Sequence, residues 1–259
     1  MNNSVKWRDF WEENAAKSWS DYEYDHGKLR EQEIEDLSKR ELLAFIDPQP
    51  ADTILDVGCG TGSNELLLHS RVKRVIGMDY TTGALDRCRR HIETYKIENV
   101  ELVQGDATQL PSPDHAVDKV LCMSVFQYLD DAEVRTALKE FSRVLKSGGT
   151  LVLHVKNKSS LYLSTLCAAK KLKMFLKRPT KLEHIRPYRW YIAELKDAGF
   201  EVLAYNSFNI IMIELIPIKW RLFLQKWELK RHNKFPLRIG FLRRSGADLK
   251  IKARPLAKP

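Results

Sequence analysis

Residues 54–62, ILDVGCGTG, restrict the possible folds of this chain more than any other stretch. An apolar run typical of a buried strand passes through Asp56 and enters a loop with glycine at every second position. Glycine adopts backbone conformations that other residues avoid, and it lets a ligand approach the backbone closely. The helix expected after such a loop offers free N–H groups and the positive end of its dipole. The stretch therefore predicts a strand, a ligand-binding loop and a helix in succession.

The rest of the chain alternates between strand-like and helical patterns. Apolar runs predict strands at 53–57, 74–79, 100–106, 117–124, 150–155 and 200–208. An alternating pattern at 247–254 predicts a seventh strand, which we expect at a sheet edge. Strands that are almost entirely apolar and alternate with helices indicate a parallel sheet with helices on both faces. The fold class expected from these patterns is α/β.

The glycine spacing does not match the two best-known nucleotide-binding loops. A dinucleotide-binding loop has the pattern G-x-G-x-x-G, and Ser63 stands where its third glycine would lie. A G-x-x-x-x-G-K-S/T loop needs a lysine that this stretch lacks. The loop alone therefore leaves the ligand open.

Two aspartates at the ends of the next two predicted strands narrow the choice. Asp79 ends the second strand, where a carboxylate can accept hydrogen bonds from both hydroxyls of a ribose. Asp106 ends the third strand, where a carboxylate can accept from the exocyclic amine of adenine. The structural alternatives are a helix cap for Asp79 and a turn for Asp106. Because ligands bind at the carboxyl ends of strands in open α/β sheets, we expect both aspartates beside the glycine loop.

Several motifs together resemble the class I S-adenosylmethionine-dependent methyltransferases, in particular the small-molecule group that includes quinone-biosynthesis enzymes. These motifs are DVGCGTG, Asp79, the GDA at 105–107, LCMSVFQYL at 121–129 and the Ser-Gly-Gly turn at 147–149. The resemblance covers about 40–208 and 247–254. It implies a Rossmann-like, seven-stranded, mostly parallel sheet in the order 3-2-1-4-5-7-6, with the last strand antiparallel and helices on both faces.

The same resemblance implies S-adenosyl-L-methionine as cofactor and assigns residues to its parts. The glycine loop would approach the methionine part, and Asp56 would fix the loop. Asp79 would hold the ribose, while Met78 and Tyr80 would flank the adenine. The other residues implied at the cofactor are Gly58, Cys59, Gly60 and Gly62 of the loop, Asp106 and Ala107 at the adenine edge, and Met123 and Ser124 near the sulfonium and the acceptor.

The chain is expected to divide into an N-terminal arm, 1–46, and a methyltransferase domain, 47–259. The arm is rich in aromatic residues and ends in a helical pattern. In the resembling family this arm often folds over the cofactor, and Trp19 and Tyr22 are our candidates for that lid. The alternative is ordinary aromatic packing on the sheet.

Two histidines are candidates for the catalytic base. Transfer of a methyl group from a sulfonium is an in-line displacement, so the protein mainly aligns the reactants. A hydroxyl acceptor must also lose a proton, which requires a base. His154 lies at the exit of the fifth strand, and His184 precedes the helix before the sixth. We expect transfer to oxygen, with His184 as base or as an orienting donor, although each histidine has a purely structural alternative.

The net charge is +9, but the charge is unevenly distributed. Residues 151–259 contain 24 Lys and Arg against 7 Asp and Glu. Basic insertions at about 156–183 and 209–246 place apolar residues on one helical face and lysines around it, as in helices that lie on membranes. We expect these insertions to form a basic helical cap that covers the acceptor and whose apolar faces pack together. The alternatives are contact with an anionic membrane surface, which would suit a lipid-linked acceptor, and RNA binding.

Composition sets the remaining expectations. The cysteines, at 59, 88, 122 and 167, form no C-x-x-C pair, which predicts reduced thiols and no bound metal. No apolar run is long enough to span a membrane, and the N-terminus lacks an apolar signal core. A cytoplasmic enzyme is the resulting prediction, and a peripheral position at the inner face of the membrane is an open alternative. An RNA-directed methyltransferase and a non-catalytic cofactor-binding scaffold are the alternative functions, and the oligomeric state stays open.

Overall fold

The structure of the protein is a computed structural model that describes residues 11–12, 32–160, 184–208 and 248–256. For residues 32–37 only the backbone is described. The lid candidates Trp19 and Tyr22, Cys167 and almost all of the two basic insertions lie outside the described residues. The division of the chain at residue 46 therefore stays a prediction.

Seven strands form one mixed sheet in the order β3-β2-β1-β4-β5-β7-β6, as the resemblance implied. The first five strands run parallel to their neighbours, and β7 runs antiparallel to both β5 and β6. Their bounds are β1 Thr53–Val57, β2 Arg74–Asp79, β3 Val100–Gln104, β4 Val117–Met123, β5 Leu145–Lys156, β6 Phe200–Phe208 and β7 Asp248–Pro255. The predicted strands agree with these bounds closely, except that β5 begins five residues earlier.

The prediction that 247–254 forms an edge strand is wrong, because β7 lies between β5 and β6. Its alternating pattern has another physical cause. Leu249 and Ile251 are fully buried on one face of the sheet, whereas Lys250 and Lys252 reach acceptors on the other face. Lys250 pairs with the buried Glu41, and Lys252 donates to the carbonyl of Ile46. Polar residues on this strand therefore mark contacts with the first helix rather than exposure to water.

Five α-helices are described on this sheet. They are α1 Gln32–Ile46, α2 Ser63–Leu68, α3 Thr82–Thr94, α4 Asp131–Val144 and α5 Tyr188–Asp197, with a 3₁₀ turn at His69–Arg71. The start of α4 is fixed by a capping box in which Asp130 and Glu133 each accept from the other's backbone N–H. None of the described helices is long and apolar enough to cross a membrane.

The sheet buries apolar side chains on both faces. Successive residues of β1 point to opposite faces of the sheet. On one face, Ile54 packs with Ile46 of α1 and Leu68 of α2. On the other face, Leu55 packs with a larger cluster that includes Phe141 of α4. All five of these apolar residues are fully buried. This two-sided core holds the strands in register and fixes the position of the loops at their carboxyl ends.

Candidate active site

The glycine loop leaves the end of β1 in a conformation that only glycine adopts easily. Gly58, Gly60 and Gly62 have φ angles of 78°, 56° and 94°. A Cβ on Gly58 would overlap a methyl of Val125, and one on Gly62 would lie 2.5 Å from the Cys88 sulfur. A Cβ on Gly60, by contrast, would meet no atom within 4 Å. The outer glycines are thus required by packing, and Gly60 leaves its backbone open to a ligand.

Two buried carboxyl groups lie beneath this loop. Asp56 is fully buried, and its Oδ2 accepts a 2.8 Å hydrogen bond from the side chain of Asn64. Among the described residues, neither Asp56 Oδ1 nor either carboxylate oxygen of Glu65 has a hydrogen-bond partner. Burial, reinforced by the nearby charge of Asp79, raises the pKa of Asp56 to about 7 against the opposing effect of the Asn64 bond. Burial also raises the pKa of Glu65.

Such unpartnered buried acids are costly unless a cation or a hydrogen-bond donor reaches them. The methionine part of S-adenosylmethionine carries a positively charged ammonium and a positively charged sulfonium, so it can supply the cationic partner that these carboxyl groups lack. The carboxyl groups beneath the loop therefore fit this cofactor.

Asp79, at the end of β2, connects the glycine loop to the start of α3. Its Oδ2 accepts a 3.0 Å hydrogen bond from the backbone of Gly60. Its Oδ1 accepts from the backbone and the hydroxyl of Thr81, at 2.9 and 2.6 Å. These bonds form a turn before α3, whose N-cap is Thr81, so Asp79 does not itself cap that helix. The half-buried carboxylate also lies next to the open backbone of Gly60, where a ribose role would require it.

Asp106 forms a tight turn after β3. Its Oδ1 accepts from the backbone and the hydroxyl of Thr108, at 2.8 and 2.7 Å. Ala107 and Met78 are buried, and a Cβ on Gly105 would lie 2.6 Å from the Met78 sulfur. The turn alternative is present here, and Met78 packs below the predicted adenine site. Tyr80 follows Asp79, and its carbonyl accepts from the side chain of Gln104 at 3.0 Å.

Three side chains from different strands form a hydrogen-bonded chain at the same edge. Ser124, directly after β4, places its Oγ 2.7 Å from Nδ1 of His154 on β5. Nε2 of His154 lies 3.2 Å from Oδ1 of Asp248, the first residue of β7. Lys156 also pairs with Asp248, and the bonds from His154 and Lys156 outweigh burial and hold the pKa of that carboxyl well below its usual range. The arrangement can take up a proton at His154 and stabilise the resulting imidazolium.

His184 lies farther along the same edge. Its carbonyl accepts from Arg186, whose guanidinium is buried and also donates to the carbonyls of Phe126 and Leu129. Arg186 stacks on the ring of Trp190 at 4.4 Å. This arginine therefore ties the segment before α5 to the loop after β4. Of the two candidate histidines, it is His154 whose ring nitrogens both have described partners in the serine–histidine–aspartate chain.

Besides α1, Trp11 and Glu12 of the N-terminal arm are described, and both contact the carboxyl edge. The ring of Trp11 meets the ring of Tyr128 edge-on, with centroids 5.5 Å apart. Glu12 accepts a 3.0 Å hydrogen bond from the backbone of Thr82, at the first turn of α3. Neither residue was predicted as part of the lid, for which Trp19 and Tyr22 were the candidates.

Comparison with known proteins gives the domain its family. Residues 54–149 match the family described as methyltransferase domain. These residues run from the glycine loop to the turn inside β5, and they include Asp56, Asp79, Asp106 and Ser124.

Residues 54–149 of this chain are a methyltransferase domain.

Relatives of known name share this domain rather than the whole chain. A demethylmenaquinone methyltransferase of Bacillus cereus is 31% identical over 117 residues, which are 44% of this chain and 48% of the relative. A phosphatidylethanolamine N-methyltransferase of Cereibacter sphaeroides is 32% identical over 140 residues, which are 54% of this chain and 64% of the relative. The chain thus spans about half to two thirds of the length of these relatives.

Solved structures extend the similarity of the methyltransferase domain to its fold. A putative methyltransferase from Bacillus halodurans superposes with a TM-score of 0.61 at 25% identity and covers 86% of this chain and 100% of that one. A geranyl diphosphate C-methyltransferase from Streptomyces coelicolor, solved with S-adenosyl-L-homocysteine, superposes with a TM-score of 0.58 at 20% identity and covers 86% and 81%. Together with the strand order, these likenesses confirm the predicted Rossmann-like fold.

The described cysteines of the methyltransferase domain are buried. Cys59, Cys88 and Cys122 are free thiols. A hydrogen bond with Cys88, together with burial, raises the pKa of the Cys59 thiol, so Cys59 stays protonated within the loop. The described part of the chain contains no group of three His, Cys, Asp or Glu side chains that could hold a metal ion.

Proposed function

We propose that this chain transfers the methyl group of S-adenosylmethionine to a hydroxyl oxygen of a small-molecule or lipid-linked acceptor. The observation that carries the proposal is a convergence at one sheet edge. The open backbone at Gly60, the carboxylate of Asp79, the buried Asp56 and the His154 chain all lie at the carboxyl ends of β1, β2, β4 and β5. In open α/β sheets this edge is where ligands bind.

In this proposal, different residues at this sheet edge bind different parts of the cofactor. Gly58 to Gly62 and Asp56 face its methionine part, Asp79 its ribose, and Tyr80, Asp106 and Ala107 its adenine. Met123 and Ser124 line the path of the methyl group. When bound, the cofactor supplies an activated methyl on sulfur, and the protein aligns the acceptor with it. Residues 1–46 cover this site, a role supported by the contacts of Trp11 and Glu12 with Tyr128 and Thr82.

Transfer to oxygen is favoured by the environment of His154. A hydroxyl acceptor must lose its proton, and general-base catalysis typically contributes about a hundredfold to ten-thousandfold. The Asp248 carboxylate, 3.2 Å from Nε2, stabilises the charge that His154 would gain. A carbon acceptor or a neutral amine acceptor would not need the hydrogen-bonded chain of Ser124, His154 and Asp248 in the same way.

Replacement of each candidate histidine tests which one serves as base. We expect His154→Ala to lower kcat for a hydroxyl acceptor about a hundredfold or more, with the affinity for S-adenosylmethionine retained. The pH profile of kcat would lose its acid limb at the same time. A His184→Ala variant that instead abolished turnover and the acid limb would move the base to His184.

A lipid-linked acceptor is supported by the relatives and by charge. One relative is named for phosphatidylethanolamine and another for demethylmenaquinone. The chain leaves the described fold at Ser160 and Phe208 and re-enters it at His184 and Asp248. The intervening residues contain most of the positive charge of the C-terminal part, and β5, β6 and β7 bring these entry and exit points to the carboxyl edge. The proposed location is accordingly the cytoplasm, at the inner face of the membrane.

Co-sedimentation with lipid vesicles tests this location. We expect the protein to pellet with vesicles rich in phosphatidylglycerol at low salt and to remain in the supernatant with phosphatidylcholine vesicles. Salt should weaken the interaction, because lysines near an anionic surface contribute about 1 kcal/mol each before screening. No binding to the anionic vesicles would contradict the membrane location, and steeply salt-dependent binding to RNA would favour the RNA-directed alternative.

A further inference from the structure

We infer that Ser124 is a catalytic residue that receives the proton of the acceptor hydroxyl while passing its own proton to His154. This inference rests on the proposed function and identifies the path of the proton. It assigns Asp248 as a positioning residue, because that carboxylate acts through the imidazole. The chain is formed by Ser124 Oγ, the two ring nitrogens of His154 and Asp248 Oδ1, at 2.7 and 3.2 Å.

The tautomer of His154 follows from its partners. A carboxylate such as that of Asp248 only accepts hydrogen bonds, so Nε2 of the neutral imidazole carries the hydrogen that faces it. Nδ1 is then the unprotonated nitrogen and accepts from the nearest donor, the hydroxyl of Ser124. The hydrogen of Ser124 Oγ therefore points to His154, and the lone pairs of Oγ are available on its other sides.

The occupied ring nitrogens require an intermediary. With Nε2 held by Asp248 and Nδ1 held by Ser124, an acceptor hydroxyl has no unoccupied nitrogen of His154 to bind. It can instead donate to Ser124 Oγ, which is already connected to Nδ1. The proton therefore travels through Ser124, and His154 is its destination rather than its first contact.

The backbone of Ser124 holds this hydroxyl in place. Its φ of 62° lies in the left-handed region, which costs a residue other than glycine about 1 kcal/mol or more. The conformation is held by a 2.9 Å hydrogen bond from the Ser124 N–H to the carbonyl of His154. Val125, the next residue, packs against Gly58 of the glycine loop. Ser124 thus connects the predicted methionine site to the base, and strained residues of this kind concentrate at functional sites.

The proton balance of the step is complete. The acceptor oxygen forms a bond to the methyl carbon, and the carbon–sulfur bond of the donor breaks with its electron pair remaining on sulfur. The acceptor proton moves to Ser124 Oγ, and the Ser124 proton moves to Nδ1 of His154. The resulting imidazolium is stabilised by Asp248, and His154 is partly exposed, so it can return the proton to water.

Charged groups around His154 determine how the step responds to pH. Asp248 faces it from β7, and Lys156 shares that carboxylate from β5. Lys250 stands opposite His154 in the register of β5 and β7 and is neutralised by Glu41 of α1. The Asp248→Asn variant removes the negative charge that faces the imidazole. We therefore expect the acid limb of its kcat profile to move to lower pH, a change that a purely structural role would not produce.

Two acceptors of different acidity test the inference. The probes are phenol, which is neutral at about pH 8, and 4-nitrophenol, which is largely ionised there and needs no base. Methyl transfer from tritium-labelled S-adenosylmethionine is measured for the parent, Ser124→Ala and Ser124→Gly. The glycine variant accepts the positive φ of this position, so it removes the hydroxyl without adding strain. We expect both variants to lose about a hundredfold or more in rate with phenol and less than about threefold with 4-nitrophenol.

The possible outcomes distinguish proton transfer through Ser124 from other roles of this residue. An equal loss with both probes would show that Ser124 only shapes the site, and no loss with phenol would show that the proton leaves by another path. Covalent labelling of Ser124 by a fluorophosphonate probe would show that it is a nucleophile and would also contradict proton transfer through its hydroxyl. A parent that binds S-adenosylmethionine but methylates neither probe would contradict the oxygen acceptor, whereas failure to bind the cofactor would contradict the proposed function as a whole.

Discussion

An Asp79→Ala variant is expected to bind S-adenosylmethionine at least about a hundredfold more weakly than the parent. Asp79 holds the backbone of Gly60 with one carboxylate oxygen and Thr81 with the other. In the proposed complex the same carboxylate also accepts from the ribose. Hydrogen bonds to a charged group contribute about 1.5–3 kcal/mol each, and each 1.4 kcal/mol is about tenfold in affinity. Loss of two such bonds therefore gives the stated effect, which titration calorimetry measures directly.

Asp86→Ala is the matched control for this measurement. Asp86 lies on α3, seven residues from Asp79, and its pair with Arg89 is exposed on both sides. It removes the same charge without touching the glycine loop, so its affinity should equal that of the parent. Wild-type affinity in Asp79→Ala would mean that the cofactor site is elsewhere. An Asp79→Asn variant keeps one acceptor for Thr81, so a comparable loss in it would assign the effect to charge rather than to the turn.

The fold was predictable from the sequence because local patterns determine most of it. The apolar runs at 53–57, 74–79 and 200–208 coincide with β1, β2 and β6. The loop at 58–62 could be recognised because its glycines have conformations that restrict the choice of residue. The position of β7 could not be obtained from its own pattern. Its lysines alternate with apolar residues because Glu41 neutralises Lys250 and the Ile46 carbonyl accepts a hydrogen bond from Lys252. Both partners lie about 200 residues earlier in the chain.

The candidate site was predictable only in part for a related reason. Asp79 is the last residue of β2 and Asp106 lies two residues after β3, so their place at the carboxyl edge follows from parallel pairing alone. Asp248 begins a strand instead of ending one, and it reaches the same edge only because β7 runs antiparallel to β5. Ser124 was selected as a lining residue, but its positive φ and its bond to His154 depend on the turn after β4. The preference for His184 over His154 as base came from sequence position and stays a prediction, whereas the proposal made above assigns the base to His154.

Affinity for S-adenosylmethionine is expected to rise as the pH increases through about 7, where Asp56 ionises in the free protein. The ionised carboxylate attracts the cationic methionine part of the cofactor, whereas the protonated acid does not. Asp79 adds to the negative charge around it, and Asn64 is its described donor. Calorimetric titration of the parent and of Asp56→Asn between about pH 5.5 and 8.5 measures this effect. The variant should bind weakly at every pH, and a parent affinity independent of pH would contradict the role of Asp56.

The same residue makes an opposite prediction for the stability of the cofactor-free protein. A carboxyl whose pKa is higher in the folded chain contributes stability below its unfolded pKa of 3.8 and loses that contribution as the pH rises through about 7. The difference between these two values corresponds to a penalty on the order of 4 kcal/mol above pH 7. Asp56→Asn removes this penalty and keeps an acceptor for Asn64.

Thermal unfolding without cofactor should therefore show Asp56→Asn to be more stable than the parent at about pH 8 and to lose that advantage below about pH 5. Asp86→Asn, an exposed change of the same kind, should follow the parent across the whole range. A variant less stable than the parent at the higher pH would mean that the ionised Asp56 is stabilised within the fold. In that case the buried carboxylate would not need a cationic ligand to stabilise it. A gain in stability together with a loss of cofactor affinity is the pattern expected of a residue retained for binding rather than for folding.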